Sequence, residues 1–199
     1  MNQDNEFEKI IESFIKDNVG IDDHFISNDL SQHLKQNLLN LYEKKQLVAA
    51  GTGNNNKLSH NLDVRSDLIY WLDRKHENQH ENDFFDQIDD FIKYLNRSCF
   101  AGITSYEFHY SLYEIGSFYQ KHLDQFKNNT NRKYSMISYL NEDWQEKDGG
   151  ELLIYQNYND KKINPTQGKT VFFKSNELQH EVLVTQKKRM SVTGWLKRD

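Results

Sequence analysis

Cysteine and proline are almost missing from this chain: Cys99 is its only cysteine and Pro165 its only proline among 199 residues. A single thiol excludes an intrachain disulfide and any zinc site built from several cysteines, the usage expected in a reducing cytoplasm. No stretch approaches the roughly 18 apolar residues of a membrane span. Met1 to Lys9 is acidic and polar, where an export signal would be basic and then apolar. Positive charge is also short, with 25 Lys and Arg against 30 Asp and Glu and a formal net charge of -5. Nothing therefore draws the chain towards a phosphate backbone or an anionic bilayer. The expectation is a cytoplasmic protein, monomer or homodimer, with no nucleic-acid and no membrane partner.

Aromatic residues fill the place of the missing punctuation. With 3 Trp, 11 Tyr and 12 Phe, each burying a large surface, the chain can support a sizeable core although only 36% of it is hydrophobic. Its length suits one domain, residues 1–199. Residues 1–100 read as helical support and a substrate loop, and residues 101–199 as a β core.

In the first half, Phe7, Ile10, Ile11, Phe14 and Ile15 recur at helical spacing, and Asn18 to Gly20 punctuates the end of that helix. Ser27 or Asn28 can cap a second helix carrying Leu30, Leu34, Leu38 and Leu41 on one stripe. Leu47 to Ala50 reads as a strand. Gly51 to Asn61, with four asparagines, is a polar loop long enough to serve as a lid. Val64 to Leu72 reads as extended. Asn82 or Asp83 then caps a third helix with Phe84, Ile88, Phe91 and Leu95 on one face.

From Ile103 onward the helical period disappears. Short runs rich in Tyr, Phe, Val, Ile and Thr alternate with polar breaks. Candidate strands are Thr104 to Glu114, Phe118 to His122, Lys133 to Leu140, Glu151 to Tyr155, Lys169 to Phe173, Glu181 to Thr185 and Arg189 to Leu196. The turns fall at Gly149-Gly150, Asn164 to Gly168 and Gln186 to Lys188. So many short strands in under 100 residues point to a jelly roll or barrel, giving an α+β class with a mainly β core.

One constellation in this half carries chemistry. Side chains two apart on a strand share a face at a backbone spacing of roughly 7 Å, so His122 and Asp124 can reach one cation. With His180 from a later strand they would form the two-histidine, one-carboxylate set that leaves open positions on Fe(II). Arg189 follows nine residues later, on a strand whose same face carries Ser191, Thr193 and Trp195. A guanidinium there can pair in bidentate fashion with a carboxylate. The remaining histidines, His24, His33, His60, His76, His80 and His109, lack partners at metal spacing and read as surface or packing residues.

The stretch from Tyr113 to Trp195 resembles the catalytic core of the Fe(II)- and 2-oxoglutarate-dependent prolyl hydroxylases, including the hypoxia-inducible-factor prolyl hydroxylases and their bacterial relatives. The resemblance rests on Lys121-His122-Leu123-Asp124, Tyr139-Leu140-Asn141-Glu142-Asp143-Trp144, Gly149-Gly150-Glu151-Leu152, Val171-Phe172-Phe173, His180-Glu181-Val182 and Arg189 through Trp195. Upstream, Val64 to Trp71 also matches. The resemblance implies a double-stranded β-helix, or jelly roll, with N-terminal helices packed on one sheet, and a dioxygenase that converts 2-oxoglutarate and O2 to succinate and CO2. It implies His122, Asp124 and His180 as Fe(II) ligands, and Arg189, Tyr139, Tyr113 and Thr193 as the 2-oxoglutarate site. It makes Arg65, Asp67, Arg132 and Trp195 substrate contacts and adds ascorbate to the candidate cofactors. Tyr113-Glu114-Ile115-Gly116 lacks the family's Pro-Gly, and Ser66 replaces a glycine.

The implied substrate is a prolyl residue in a protein or peptide, with a translation factor such as elongation factor Tu as one candidate. A free amino acid or small molecule stays open. So do a non-catalytic jelly-roll binding module, because fold does not fix function, and a hydrolytic zinc site on the same ligands.

Overall fold

The computed structural model describes residues 3–51, 63–125 and 130–199. In chain order its regular elements are α1 (Gln3–Asp17), β1 (Val19–Asp22), α2 (Asn28–Glu43), β2 (Val48–Ala49), β3 (Leu68–Trp71), α3 (Gln79–Cys99), β4 (Ser105–Tyr113), β5 (Tyr119–His122), β6 (Arg132–Tyr139), β7 (Leu152–Ile154), β8 (Lys161–Ile163), β9 (Thr170–Lys174), β10 (His180–Val182) and β11 (Arg189–Lys197). Short 3-10 turns lie at Arg74–His76 and Glu146–Asp148.

The strands form two antiparallel sheets. One has seven strands in the order β1-β9-β6-β11-β4-β3-β2, and the other has four in the order β5-β10-β7-β8. β11 sits at the centre of the larger sheet, with Arg189 opposite Tyr113 on β4 and Ser191 opposite Tyr139 on β6. Because strand side chains alternate, each strand of this sheet serves two cores. Phe108, Leu112, Phe172 and Val192 pack towards the helices with Phe7, Leu34, Phe84 and Phe91. Tyr113, Tyr139, Val171 and Phe173 pack towards the small sheet with Leu152, Ile154 and Val182. This is the jelly roll with helices on one sheet expected from the sequence, and the second core is where the candidate site lies.

Several boundaries differ from the sequence reading. Asn18 to Gly20 does not merely end a helix: Asn18 takes a positive φ of 57° and the chain turns straight into β1, which pairs with β9. Four residues so close to a helix end carry no alternating pattern long enough to read. Asn78, not Asn82 or Asp83, caps α3 by accepting from the amides of His80 and Glu81. That first turn has no apolar residue, and its inward position is held by Glu81, buried against Asn37 and His76. β8, with two lysines in three residues, was missed because it is an edge strand paired only with β7, a place where lysine is favoured. The strand expected over Glu181 to Thr185 begins at His180 and ends at Val182. Leu183 and Thr185 instead bond to the loop carbonyls of Glu151 and Ser117. The proposed lid, Gly51 to Asn61, lies outside the described residues except for Gly51, as does His60.

Candidate active site

The three residues of the sequence-predicted triad meet. The ladder between β5 and β10 places His122 directly opposite His180, and Asp124 follows two residues on, just past the end of β5. His122 Nε2 lies 3.4 Å from Asp124 Oδ1 and His180 Nε2 lies 3.5 Å from Asp124 Oδ2. All three ligand atoms fall within 4.8 Å of one another, a span that one ion can bridge. Each imidazole turns its Nδ1 to a backbone carbonyl, His122 to Gln120 at 2.7 Å and His180 to Leu178 at 3.1 Å. Those carbonyls hold the N–H and leave each Nε2 lone pair for a cation, the outer support that metal-binding histidines use. Ser135 Oγ donates to Asp124 Oδ2 at 2.6 Å. Tyr119 stacks on His122 with ring centroids 3.6 Å apart, and Phe173 meets His180 edge-on.

The three groups shift one another's protonation strongly. Burial alone would raise the Asp124 carboxyl, but the charge of His180 and hydrogen bonds from both histidines hold it well below the usual carboxylate range. Burial and the neighbouring His180 push the His122 imidazole down, while Asp124 outweighs burial at His180 and lifts it.

A second polar group faces the same space. Arg189, the first residue of β11, is 1% exposed. Its Nε donates to the Gly150 carbonyl at 2.7 Å, but its Nη2 has no hydrogen-bond partner, and neither does the buried hydroxyl of Tyr139. The guanidinium carbon sits 5.1 Å from the Tyr139 ring centroid and 4.9 Å from that of Tyr113. Burial raises the Tyr139 hydroxyl and the Arg189 charge partly offsets this. A buried guanidinium with an unmet donor is costly unless an anion meets it. Tyr113 and Thr193 line the same cavity, with the Thr193 hydroxyl tied to Ser191 at 3.1 Å. Gly150, read from sequence as a turn residue, has a further role. Its φ is +66°, and a Cβ there would lie 2.9 Å from the Thr185 side chain and 3.1 Å from Arg189 Cδ.

The cavity holding both groups has a volume of about 340 Å³. Arg65 grips Asp67 through two bonds of 2.8 and 2.7 Å, and Asp67 is fully buried. This is no surface ion pair, and the Arg65 guanidinium lies 4.2 Å over the Tyr119 ring. Arg132 bonds Glu107 through Nε at 2.9 Å and Nη2 at 2.7 Å. It also lies over the Trp195 ring at 3.4 Å and donates Nη1 to the Asp124 carbonyl at 3.3 Å. The residue that sequence reasoning missed is His109. A histidine without metal spacing gives no local signal, yet it is buried in the cavity wall between Trp71 and Trp195.

Residues 108–197 match the family model described as the 2OG-Fe(II) oxygenase superfamily. The matched stretch contains His122, Asp124, His180 and Arg189. Across the fold, the chain superposes on a prolyl-4-hydroxylase from Pseudomonas putida with a TM-score of 0.87 and 29% identity, covering 97% of this chain and 99% of that one. A Trichoplax adhaerens prolyl hydroxylase, solved with a hypoxia inducible factor oxygen degradation domain peptide fragment, gives a TM-score of 0.88 at 22% identity, over 98% and 90% of the two chains. A prolyl 4-hydroxylase from Phytophthora capsici gives 0.79 at 18% identity, over 98% and 64%.

The matched model implies Fe(II), 2-oxoglutarate and dioxygen, and this chain has donors suited to them. Two imidazoles and one carboxylate converge with room for further ligands. The unmet Arg189 donor and Tyr139 hydroxyl suit the far carboxylate of a dicarboxylic keto acid. No described helix is long and apolar enough to cross a membrane.

Proposed function

We propose that this dioxygenase hydroxylates a prolyl residue within a protein or peptide, with His122, Asp124 and His180 binding Fe(II) and Arg189 with Tyr139 anchoring 2-oxoglutarate. The observation that carries the reading is the buried Arg189 with its unmet Nη2, in one cavity with the His-Asp-His cluster; the neighbouring Tyr139 hydroxyl is unmet as well. A binding module or a hydrolytic zinc site would leave both groups without a role. The prolyl assignment rests on the likeness to the Pseudomonas putida prolyl-4-hydroxylase over nearly the whole of both chains.

When bound, Fe(II), 2-oxoglutarate and dioxygen supply the oxidising power, yielding succinate, CO2 and hydroxylated substrate. The chain's own part is positioning. The Gln120 and Leu178 carbonyls fix the tautomers of His122 and His180, and Ser135 orients Asp124. The Arg189 fork matches a carboxylate in plane and charge, and the Gly150 carbonyl fixes its Nε while Nη2 keeps no partner. Tyr113 and Thr193 narrow the chamber beside it. Arg65, Arg132 and Trp195 border the space left for substrate, and the buried Asp67 holds Arg65 as Glu107 holds Arg132.

The test is dioxygen-dependent formation of succinate from 2-oxoglutarate with added Fe(II), with and without ascorbate. Prolyl peptides and elongation factor Tu would serve as acceptors, scored for the mass of one added oxygen. Turnover stimulated by a prolyl acceptor is expected. Succinate release that no prolyl acceptor stimulates, while a free amino acid or small molecule does, would replace the substrate assignment.

A further inference from the structure

Two buried polar atoms on residues of the cavity wall remain unused by the iron and 2-oxoglutarate sites. His109 on β4 and Trp195 on β11 are 3% and 7% exposed, and their rings stack at 5.4 Å and 28°. Trp71 on β3 closes the other side of His109 at 4.9 Å. Both residues line the cavity, yet His109 Nδ1 and Trp195 Nε1 have no hydrogen-bond partner. Leaving two such atoms unmet in a core is unusual, because each forfeits its hydration for nothing.

The chemistry of the two atoms limits what can meet them. An indole N–H only donates, so its partner is an acceptor; a neutral imidazole offers one donor and one acceptor. His109 is neutral: burial, then the Arg65 and Arg132 guanidiniums, outweigh Asp124 and push it down to about 3. The His109 and Trp195 rings themselves offer hydrogen bonds and no charge, while the cations nearby are engaged, Arg65 with Asp67 and both Arg132 and Lys197 with Glu107. A peptide amide is neutral and brings a carbonyl acceptor and, next to it in the chain, an N–H donor.

We propose that His109 is a specificity-determining residue: together with Trp195 it hydrogen-bonds a peptide amide beside the hydroxylated residue, so that the chamber takes a residue inside a peptide in preference to a free amino acid. This rests on the prolyl-hydroxylase reading above. It goes beyond that reading in assigning the choice between peptide and free amino acid to one side chain.

The experiment follows the indole N–H resonances of the full-length protein, loaded with Zn(II) and 2-oxoglutarate and isotopically labelled at its 3 tryptophans. A Trp195→Phe spectrum assigns the signal. The probes are N-acetyl-L-prolinamide and L-proline. The amide should move the Trp195 indole proton downfield and bind more tightly than proline. His109→Phe should weaken the amide by about five- to tenfold, the size of one lost hydrogen bond, and His109→Gln, which keeps a polar atom, should recover part of the loss. Anaerobic 2-oxoglutarate charge-transfer absorption with Fe(II) reports whether each variant still folds around its metal. Equal amide affinity in wild type and His109→Phe would overturn the inference, as would proline binding as tightly as the amide, or neither probe shifting the wild-type signal. Failure of the underlying reading shows separately, as succinate release that no prolyl peptide stimulates.

Discussion

Gly150 helps fix Arg189, because the Gly150 carbonyl receives its Nε and a Cβ on Gly150 would press on its Cδ. Gly150→Ala also forces a side chain into a left-handed backbone with φ of +66°, a strain of order 1–3 kcal/mol. We expect it to lower the urea midpoint and weaken 2-oxoglutarate binding together; an unchanged 2-oxoglutarate affinity would mean that Arg189 does not depend on this turn. His122→Ala, Asp124→Ala and His180→Ala should each abolish turnover and greatly weaken Fe(II) binding, since three ligands set one geometry. Near-normal 2-oxoglutarate decarboxylation in any of them would refute the metal assignment. The pH prediction belongs to His109. Its folded pKa of about 3 lies below the ordinary histidine value of 6.5, so between the two the unfolded chain binds the extra proton. Stability is therefore undiminished by this group above pH 6.5 and falls as pH drops towards 3, by up to about 1.4 kcal/mol per pH unit. His109→Met should flatten that limb in acid-unfolding curves; an unchanged slope would show that His109 is not held neutral. The His122–Asp124 pair was legible because two-residue spacing on a strand is a local fact, whereas His180 and Arg189 were read from the resemblance of their surrounding motifs. Gly150 and His109 were not legible, because their roles come from what the fold sets against them.

Elements with a long period were readable and short ones were not. The stripe Phe84, Ile88, Phe91 and Leu95 announced α3, and every one of these residues is buried. Phe91 contacts the rings of Phe7, Phe25 and Phe172 at 5.2 to 5.5 Å. Phe91→Ala should cost about 3–5 kcal/mol by leaving a cavity in that cluster, and a loss below about 1 kcal/mol in a denaturant titration would mean the helix packs elsewhere. β1 could not be read from four residues, yet it makes Gly20 essential. A Cβ there would lie 2.5 Å from the Ile10 carbonyl oxygen, so Gly20→Ala has to push α1 away from the sheet. A cost of about 1–3 kcal/mol is expected from such overpacking. The start of β10 at His180 matters most for function, because it is the ladder with β5, not sequence spacing, that brings the second histidine opposite the first.

At the scale of the whole molecule, one sheet separates two cores with different duties: the aromatic core under the helices holds the sheet in shape, and the opposite face keeps buried polar groups that lack partners. That division was foreseeable as a jelly roll with helices on one sheet, whereas the register that points Arg189, His109 and Trp195 into one cavity required the fold. The central claim is that the Arg189 guanidinium, in one cavity with an iron triad, is there to receive 2-oxoglutarate. The most direct measurement titrates 2-oxoglutarate anaerobically into the Fe(II) protein and follows the metal-to-ligand charge-transfer absorption in wild type, Arg189→Lys and Arg189→Ala. Removing one partner of a buried charged pair costs about 3–5 kcal/mol, so Arg189→Ala should bind at least about a hundredfold more weakly, at about 1.4 kcal/mol per tenfold. Fe(II) affinity should stay close to wild type, and Arg189→Lys should recover only part of the loss because an ammonium lacks the planar fork. An Arg189→Ala protein that bound 2-oxoglutarate as tightly as wild type would contradict the account.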